Sequence, residues 1–290
     1  MTRMSNTPPK VGLARNTANY GDRDFALYLR RSFAKSMGYS QTMLDKPVVG
    51  IVDTGSDYNN CHRTVPELIE AVKRGVLAGG ALPLAFPTVS LCEPSLSPTS
   101  MHYRNLAAID TEAMLTAQPM DAAVLIGGCD KTVPAQIMAA VSADLPAIMV
   151  TGGPSQPAWF RGRQLGAGTD LWHYLAELRA GRMTQEEFDE LEAAATPSFG
   201  HCNEMGTAST MTSIIEALGM ALPGTASIPA VEAGRGRAAE ETGIRAVALA
   251  REGLRPSQIV TEKSLDNAIT LLMALGGGTN AVIQIGRAHV

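Results

Sequence analysis

The sequence lacks an excess of positive charge and lacks any apolar run long enough to cross a membrane. Charged residues make up 18% of its 290 residues and the formal net charge is −4, so no polybasic patch is available to bind nucleic acid. Residues 1–10 are polar and contain no apolar signal-peptide core. These absences predict a cytoplasmic protein without a nucleic-acid or membrane partner.

Cysteine is also scarce, and its spacing argues against the common zinc folds. The four cysteines form no C-x-x-C pair and the five histidines form no tract, so neither a zinc finger nor a zinc ribbon is predicted. Free thiols suit a reducing compartment better than disulfides do. A single cysteine in such a chain is usually a small buried hydrophobe, and this interpretation stays open for each of the four.

What the sequence does contain is an alternation of apolar runs and helical patterns. The first half predicts strands at 48–52, 82–86, 122–126 and 147–150, with helices at 65–77, 112–118 and 135–142. The second half predicts helices at 186–195, 209–218, 238–252 and 265–275, with a capping box at Thr184 and a mobile loop at 224–237. We therefore predict an α/β fold, in which a parallel sheet is flanked by helices and followed by a helical segment.

Three of the cysteines lie where the chain leads into a predicted helix. Cys129 closely follows the strand at 122–126, Cys61 follows a polar loop after 48–52, and Cys202 precedes a Ser/Thr-rich helix start. Helix amino termini favour anionic thiolates, and open α/β sheets bind ligands at the carboxyl ends of their strands. We therefore expect a site that contains these thiolates.

A second kind of ligand follows Cys129 directly. The thiolate of Cys129 would suit iron, copper or zinc, whereas the carboxylate of Asp130 would suit magnesium or manganese. The next residue, Lys131, adds an amine. Two kinds of metal chemistry are therefore possible at this point, although an Asp-Lys pair after a strand is more often a helix cap and a solvated amine.

Longer strings of the sequence form an ordered pattern over residues 10–283. The strings are Cys61-His62 and those at 128–134, 151–154, 206–211 and 274–281. Together they resemble the iron–sulfur dehydratases of dihydroxy acids and sugar acids. Further strings at 86–94, 101–106 and 165–172 look like the sugar-acid branch, which includes arabinonate and xylonate dehydratases.

This resemblance implies an iron–sulfur cluster. Cys61, Cys129 and Cys202 match its three thiolate ligands, which leave one iron open to act as a Lewis acid. Three cysteines suit either cluster type, and the resemblance favours [2Fe–2S] over [4Fe–4S]. The fourth cysteine, Cys92, is not expected to be a ligand.

The resemblance also implies a magnesium ion. Glu93 and Asp130 match its carboxylate ligands, and Lys131 matches a lysine that is carbamylated so that it can offer oxygen atoms to a hard cation. His62 and Thr132 adjoin ligands, and we interpret both as supporting residues at most.

The implied activity is that of a hydro-lyase. It would remove water from a 2,3-dihydroxy carboxylic acid, here an aldonic sugar acid, to leave a 2-keto-3-deoxy acid. The family's catalytic base and a further magnesium ligand have no counterpart in this chain, so we expect the chain alone to be inactive. Two alternatives stay open, which are a branched-chain dihydroxy-acid dehydratase and a catalytically inert α/β fragment or binding module.

The resemblance has consequences for the domain organisation as well. Residues 1–290 are interpreted as one incomplete amino-terminal domain that binds the cluster and magnesium, without the β-barrel-like carboxyl-terminal domain of the family. The full-length protein is expected to form a homo-oligomer. The last residues, 285–290, match the translation of a sequencing adapter, and we expect them to be non-native read-through that begins near Gln284.

Overall fold

The structure is a computed structural model, and it describes residues 11–166 and 168–288. The strands in this part of the chain are β1 (Val48–Asp53), β2 (Leu82–Pro87), β3 (Ala122–Gly127), β4 (Ala147–Thr151), β5 (Ala158–Phe160) and β6 (Arg163–Leu165). The α-helices are α1 (Arg23–Ser36), α2 (Gln41–Leu44), α3 (Val65–Ala78), α4 (Arg104–Ala117), α5 (Thr132–Ala143), α6 (Thr169–Arg179), α7 (Gln185–Ala195), α8 (Thr207–Ala217), α9 (Ala233–Glu252), α10 (Pro256–Ile259), α11 (Glu262–Leu275) and α12 (Asn280–Ala288).

The central sheet is parallel, as the sequence predicts. Its strand order is β2-β1-β3-β4, and Val49 of β1 lies opposite Ala122 of β3. All six residues of β3 are buried. Strands with both faces covered read as continuous apolar runs, which is why all four predicted runs correspond to strands.

Helices cover both faces of this sheet. On one face, α3 and α9 pack against strand residues that include Val49 and Ile51. On the other face, α5, α8 and α11 pack against residues that include Val48 and Val52. The alternation of these residues between the two cores follows from the strand period of two. The predicted layering, a parallel sheet between helices, is confirmed.

Two predicted boundaries are wrong. The helix predicted from 112 begins at Arg104, and the loop predicted at 224–237 ends where α9 begins at Ala233. Glycine lowers helix propensity in that stretch, but tertiary packing outweighs it because Arg235 is buried and donates to the Thr151 carbonyl oxygen at 3.0 Å.

A small unit between β4 and α8 was not predicted as a whole. The antiparallel pair β5–β6 packs with α6 and α7 around its own core, which includes Phe160, Phe188 and Leu191. The capping box at Thr184 is confirmed, since Glu187 N–H donates to Thr184 Oγ1 at 3.2 Å and Thr184 N–H donates to Glu187 Oε2 at 3.0 Å. Three-residue strands carry too little periodic signal to be detected in the sequence.

Within the described ranges, no helix is both long enough and apolar enough to cross a membrane. The expected read-through segment, 285–290, overlaps the end of α12, and its residues 289 and 290 lie outside the described residues.

The two helices on one face, α3 and α9, touch through their backbones. A Cβ atom added at Gly243 would lie 2.4 Å from the Val72 carbonyl oxygen, and one added at Gly75 would lie 1.9 Å from the Glu240 carbonyl oxygen. Real Cβ atoms do not approach backbone oxygens this closely, so these two positions need glycine for helix packing.

We expect Gly243→Ala to lower the free energy of unfolding by about 1–3 kcal/mol, because the methyl group must push α3 and α9 apart. The matched control is Gly236→Ala in the same helix, where an added Cβ meets open space. That control should be neutral or gain up to about 1 kcal/mol from helix propensity. Urea unfolding followed by circular dichroism measures both, and equal stabilities for the two variants would contradict the proposed packing.

Candidate functional site

The candidate site lies at the carboxyl ends of the central strands. The chain leaves β1 towards β2 on one side and leaves β3 towards β4 on the other, so the neighbouring strands β1 and β3 form a topological switch point. Such points leave a crevice outside the sheet, where α/β proteins bind their ligands. The loop after β1 carries Cys61, and the loop after β3 carries Cys129.

These two loops are in backbone contact. A Cβ atom added at Gly128 would lie 2.9 Å from the Cys61 carbonyl oxygen, and one added at Gly152 would lie 2.8 Å from the same oxygen. Glycine at both positions therefore allows the carbonyl group of Cys61 to sit between the loops that follow β3 and β4.

The loop that carries Cys202 is attached to the same place. Gly200 N–H donates to the Asn60 carbonyl oxygen at 3.2 Å, and the Asn60 side chain donates back to the Gly200 carbonyl oxygen at 3.2 Å. Next to it, His201 N–H donates to the Gly153 carbonyl oxygen at 3.0 Å. Gly200 has a φ of +127° and no room for a Cβ atom, so only glycine fits this junction. Hydrogen bonds thus join the loops of Cys61 and Cys202, which are far apart in sequence, and the backbone contact at Gly128 adds the loop of Cys129.

All three predicted thiols face one cavity of about 420 Å³. Cys61 and Cys129 are buried, whereas Cys202 is exposed. Cys92 is buried as well but does not line the cavity. The residues around the cavity include Cys61, Cys129, Cys202, Glu93, Asp130, Asn60, Ser155, His201, Asn203, Leu171 and Ala195.

The electrostatics of the thiols differ from the sequence-based expectation. Hydrogen bonding to Cys129 and burial both raise the pKa of Cys61, while the same hydrogen bond lowers the pKa of Cys129. Desolvation, followed by the negative charge of Glu204 and Asp130, raises the pKa of Cys202 to about 11. The hydrogen bond with Cys129 and burial at Cys61, and the partial desolvation of the sulfur at Cys202, thus act against the helix dipole at these two thiols.

The predicted magnesium ligands form an ion triad in the metal-free chain. Lys131 Nζ lies 3.1 Å from Glu93 Oε2 and 3.3 Å from Asp130 Oδ2, and the Lys131 side chain is only 4% exposed. Burial by itself would raise the pKa of Glu93, but hydrogen bonds from Ser100 and Lys131 outweigh burial and lower that pKa. The amine thus pairs with the two carboxylates, which would otherwise attract a metal cation.

The two residues that were predicted to be supporting residues at most, His62 and Thr132, are both buried. His62 accepts backbone hydrogen bonds from Gly128 and Cys129, and burial lowers its pKa to about 4, so its imidazole is neutral. The Thr132 hydroxyl has no partner among the described residues.

One residue beside the cavity was missed in the sequence. His201 is buried, burial lowers its pKa to about 4, and its Nε2 atom has no partner within the described part of the chain. A signal was available, because His201 directly precedes Cys202 much as His62 directly follows Cys61.

The donor set fits the implied metal groups to different degrees. Thiols from three loops around one cavity suit an iron–sulfur cluster. The iron and sulfur atoms of a cluster lie between its protein ligands, so these ligands are farther apart than the ligands of a single metal ion. In the described ranges, no three Cys, His, Asp or Glu side chains are arranged to hold a single metal ion. The magnesium set offers only two carboxylates, Glu93 and Asp130, so it becomes a three-ligand set only when Lys131 carries a carbamate.

The fold and the site together define an α/β protein with thiols and carboxylates at the switch point of a parallel sheet. The profile of the dihydroxy-acid/6-phosphogluconate dehydratase N-terminal family matches residues 46–286. The chain therefore belongs to this family.

The names of the curated relatives refer to two classes of substrate, sugar acids and dihydroxy acids. The chain is 46% identical to L-arabinonate dehydratase of Rhizobium leguminosarum bv. trifolii, over 92% of the chain and 46% of the relative. It is 43% identical to D-xylonate dehydratase of Caulobacter vibrioides, over 88% of the chain and 43% of the relative. It is 39% identical to dihydroxy-acid dehydratase of Moorella thermoacetica, over 88% of the chain and 47% of the relative. The chain thus spans a little under half the length of each.

We expect iodoacetamide to modify Cys202 first in the native, metal-free chain, because the other cysteines are buried. Since the pKa of Cys202 is about 11, its thiol is protonated at neutral pH, and the rate should rise about tenfold per pH unit between pH 7 and pH 10. Timed alkylation with peptide mass spectrometry measures this. Cys202→Ser should abolish the fast phase, and a rate that is independent of pH would contradict the raised pKa.

Proposed function

We propose that this chain is the cluster- and magnesium-binding part of a sugar-acid dehydratase. The reaction would eliminate water from a 2,3-dihydroxy carboxylic acid and yield a 2-keto-3-deoxy acid. The observation that carries the proposal is the single cavity lined by Cys61, Cys129, Cys202, Glu93 and Asp130. Family membership supports it, because the relatives are named as dehydratases.

Cys61, Cys129 and Cys202 would hold an iron–sulfur cluster, for which we favour the [2Fe–2S] type. When bound there, the cluster supplies a Lewis-acidic iron that three protein ligands leave accessible to a departing hydroxyl group. The chain contributes the geometry, because hydrogen bonds and glycine contacts hold the three cysteine loops together. It also shields two of the sulfur atoms from water by burial.

Glu93, Asp130 and a carbamylated Lys131 would hold magnesium, which supplies positive charge for the substrate's carboxylate and 2-hydroxyl group. Carbamylation first removes one proton from the lysine ammonium; the neutral nitrogen then forms a bond to carbon dioxide and loses a second proton, so that an anion replaces a cation. Ser100 and Thr99 donate to the Glu93 carboxylate and hold it at the cavity.

Part of the cavity wall is polar, and that part suits a polyhydroxylated substrate. Asn60, Ser155, His201 and Asn203 line the cavity beside the cysteines. Of these, His201 Nε2 and Asn203 Oδ1 have no partner among the described residues and could exchange hydrogen bonds with the hydroxyl groups of an aldonic acid, whereas an alkyl chain would leave them unpaired. The identities of 46% and 43% to the L-arabinonate and D-xylonate dehydratases, against 39% to the dihydroxy-acid dehydratase, favour the same substrate class.

We expect anaerobic reconstitution of the chain with iron and sulfide to produce a coloured protein with visible charge-transfer absorption. Cys61→Ser, Cys129→Ser and Cys202→Ser should each remove most of that absorption, because each deletes one proposed ligand. The matched control is Cys92→Ser, which removes a buried thiol outside the cavity wall and should leave the absorption unchanged. A colourless wild-type chain would favour an inert α/β binding module instead.

In the whole protein, we expect Asp130→Asn to lower turnover by at least about a hundredfold while the cluster absorption is retained, because the change removes a magnesium ligand and no thiolate. The control is Asp57→Asn, an exposed carboxylate in the loop of Cys61. Turnover is measured with a panel of aldonic acids and branched-chain dihydroxy acids. Unchanged activity of Asp130→Asn would refute the magnesium role, and preference for the branched-chain acids would refute the substrate class.

A further inference from the structure

The imidazole of His62 contacts the loops after β1, β2 and β3 at once. The residue is completely buried. Its Nε2 atom lies 3.0 Å from Gly128 N and 3.3 Å from Cys129 N, in the loop after β3. Its Nδ1 atom lies 2.9 Å from the Thr54 carbonyl oxygen and 2.8 Å from Ser90 Oγ, in the loops after β1 and β2.

These contacts define which nitrogen carries the proton. Both backbone groups that face Nε2 are N–H donors, so Nε2 must be the unprotonated acceptor. The hydrogen atom is then on Nδ1, where the Thr54 carbonyl oxygen accepts it. The ring is therefore a neutral bridge that accepts hydrogen bonds at one end and donates at the other.

The bridge connects the backbones of the two buried cysteines that line the cavity, Cys61 and Cys129. Cys61 directly precedes His62, and the backbone N–H of Cys129 is one of the two groups that Nε2 accepts. Fixing this N–H limits the rotation of the backbone from which the Cys129 side chain projects. The imidazole ring therefore links the backbone of the Cys61 loop to the backbone of the Cys129 loop.

Asn59 extends the same connection to the loop that leads to Glu93. Its side-chain oxygen accepts from Cys61 N at 3.1 Å, and its side-chain nitrogen donates to the Leu91 carbonyl oxygen at 3.0 Å. This nitrogen lies 3.1 Å from His62 Nδ1 but makes no hydrogen bond to it, because both nitrogen atoms are donors. The buried pair Asn59 and His62 therefore joins the loops of Cys61, Cys129 and Glu93.

We infer that His62 is a positioning residue whose Nε2 atom sets the placement of Cys129 relative to Cys61 for cluster binding. The inference rests on the proposed function and adds to it a residue that contacts neither substrate nor cluster. Groups that orient metal ligands in this way typically change metal affinity about 10- to 100-fold when they are replaced. A residue that only fills volume would not act through one nitrogen atom.

Two amide variants separate positioning from packing. In His62→Gln the side-chain oxygen can occupy the place of Nε2 and accept from Gly128 and Cys129. In His62→Asn the side chain reaches only the place of Nδ1 and leaves both N–H groups without an acceptor. His62→Leu keeps a side chain of similar volume but cannot accept a hydrogen bond from Gly128 or Cys129. The matched controls are His173→Gln and His173→Asn, at an exposed histidine of α6.

The primary measurement is iron loss to a chelator after anaerobic reconstitution of the 290-residue chain. We expect His62→Gln to lose iron within about threefold of the wild-type rate, and His62→Asn and His62→Leu to lose it about 10- to 100-fold faster. Visible circular dichroism of the cluster should change in the same order. Wild-type rates in His62→Asn, or rates in His62→Gln as fast as those in His62→Leu, would overturn the inference.

A second measurement does not depend on the cluster. With Cys92 and Cys202 replaced by serine, phenylarsine oxide can bind the metal-free chain tightly only by bridging Cys61 and Cys129. We expect His62→Asn to weaken this binding at least tenfold relative to His62→Gln, and equal binding would overturn the inference. If wild-type chain takes up no cluster but this order holds, the proposed function fails and the positioning role stands.

Thermal unfolding of the metal-free variants shows whether each variant folds. If both amide variants are unfolded, nitrogen-15 spectra of the histidines in the wild-type chain test the inference instead. The inference requires an unprotonated Nε2 on His62, and a protonated Nε2 would overturn it.

Discussion

The parallel pairing of β1 with β3 is the constraint on which the candidate site depends. It places Val49 opposite Ala122, and it thereby brings the loops of Cys61 and Cys129 to the same edge of the sheet. Glycine at 128 and 152 then lets those loops meet around the Cys61 carbonyl group. A shift of the β1–β3 register would separate the two buried thiols and would also break the contacts of His62.

Around that pairing, several buried polar side chains have polar partners, although Thr132 Oγ1 and His201 Nε2 lack one among the described residues. Lys131 lies between two carboxylates, Arg235 donates to backbone oxygens, and His62 is a neutral bridge. Buried polar groups without such partners would lower the free energy of unfolding. The two buried thiols of the cavity differ in this respect, because their mutual hydrogen bond raises the pKa of Cys61 and lowers the pKa of Cys129. A cation or cluster would favour the deprotonated form of both.

The small unit of β5, β6, α6 and α7 forms part of the cavity wall. Leu171 of α6 and Ala195 of α7 line the cavity opposite the sheet loops, and the unit has its own apolar core. Packing of this unit against the rest of the chain therefore affects the size of the cavity. Leu171, which belongs to one of the sequence strings that resemble the sugar-acid branch, lies in this wall.

The sequence by itself determined the parallel sheet, because strands covered on both faces must be apolar throughout, and it indicated the residues at the strand ends. Cys61, Cys129 and Cys202 were identified from their place before helices and from the family motifs. The tertiary structure decided how these cysteines are placed relative to one another. It also decided the hydrogen bonds of Asn60, His62 and His201, because such bonds join residues that are remote in sequence, for example Asn60 and Gly200. The tertiary structure also decided the ionisation of the cysteine thiols. Desolvation of a thiol opposes the helix dipole, and the extent of that desolvation depends on the whole fold.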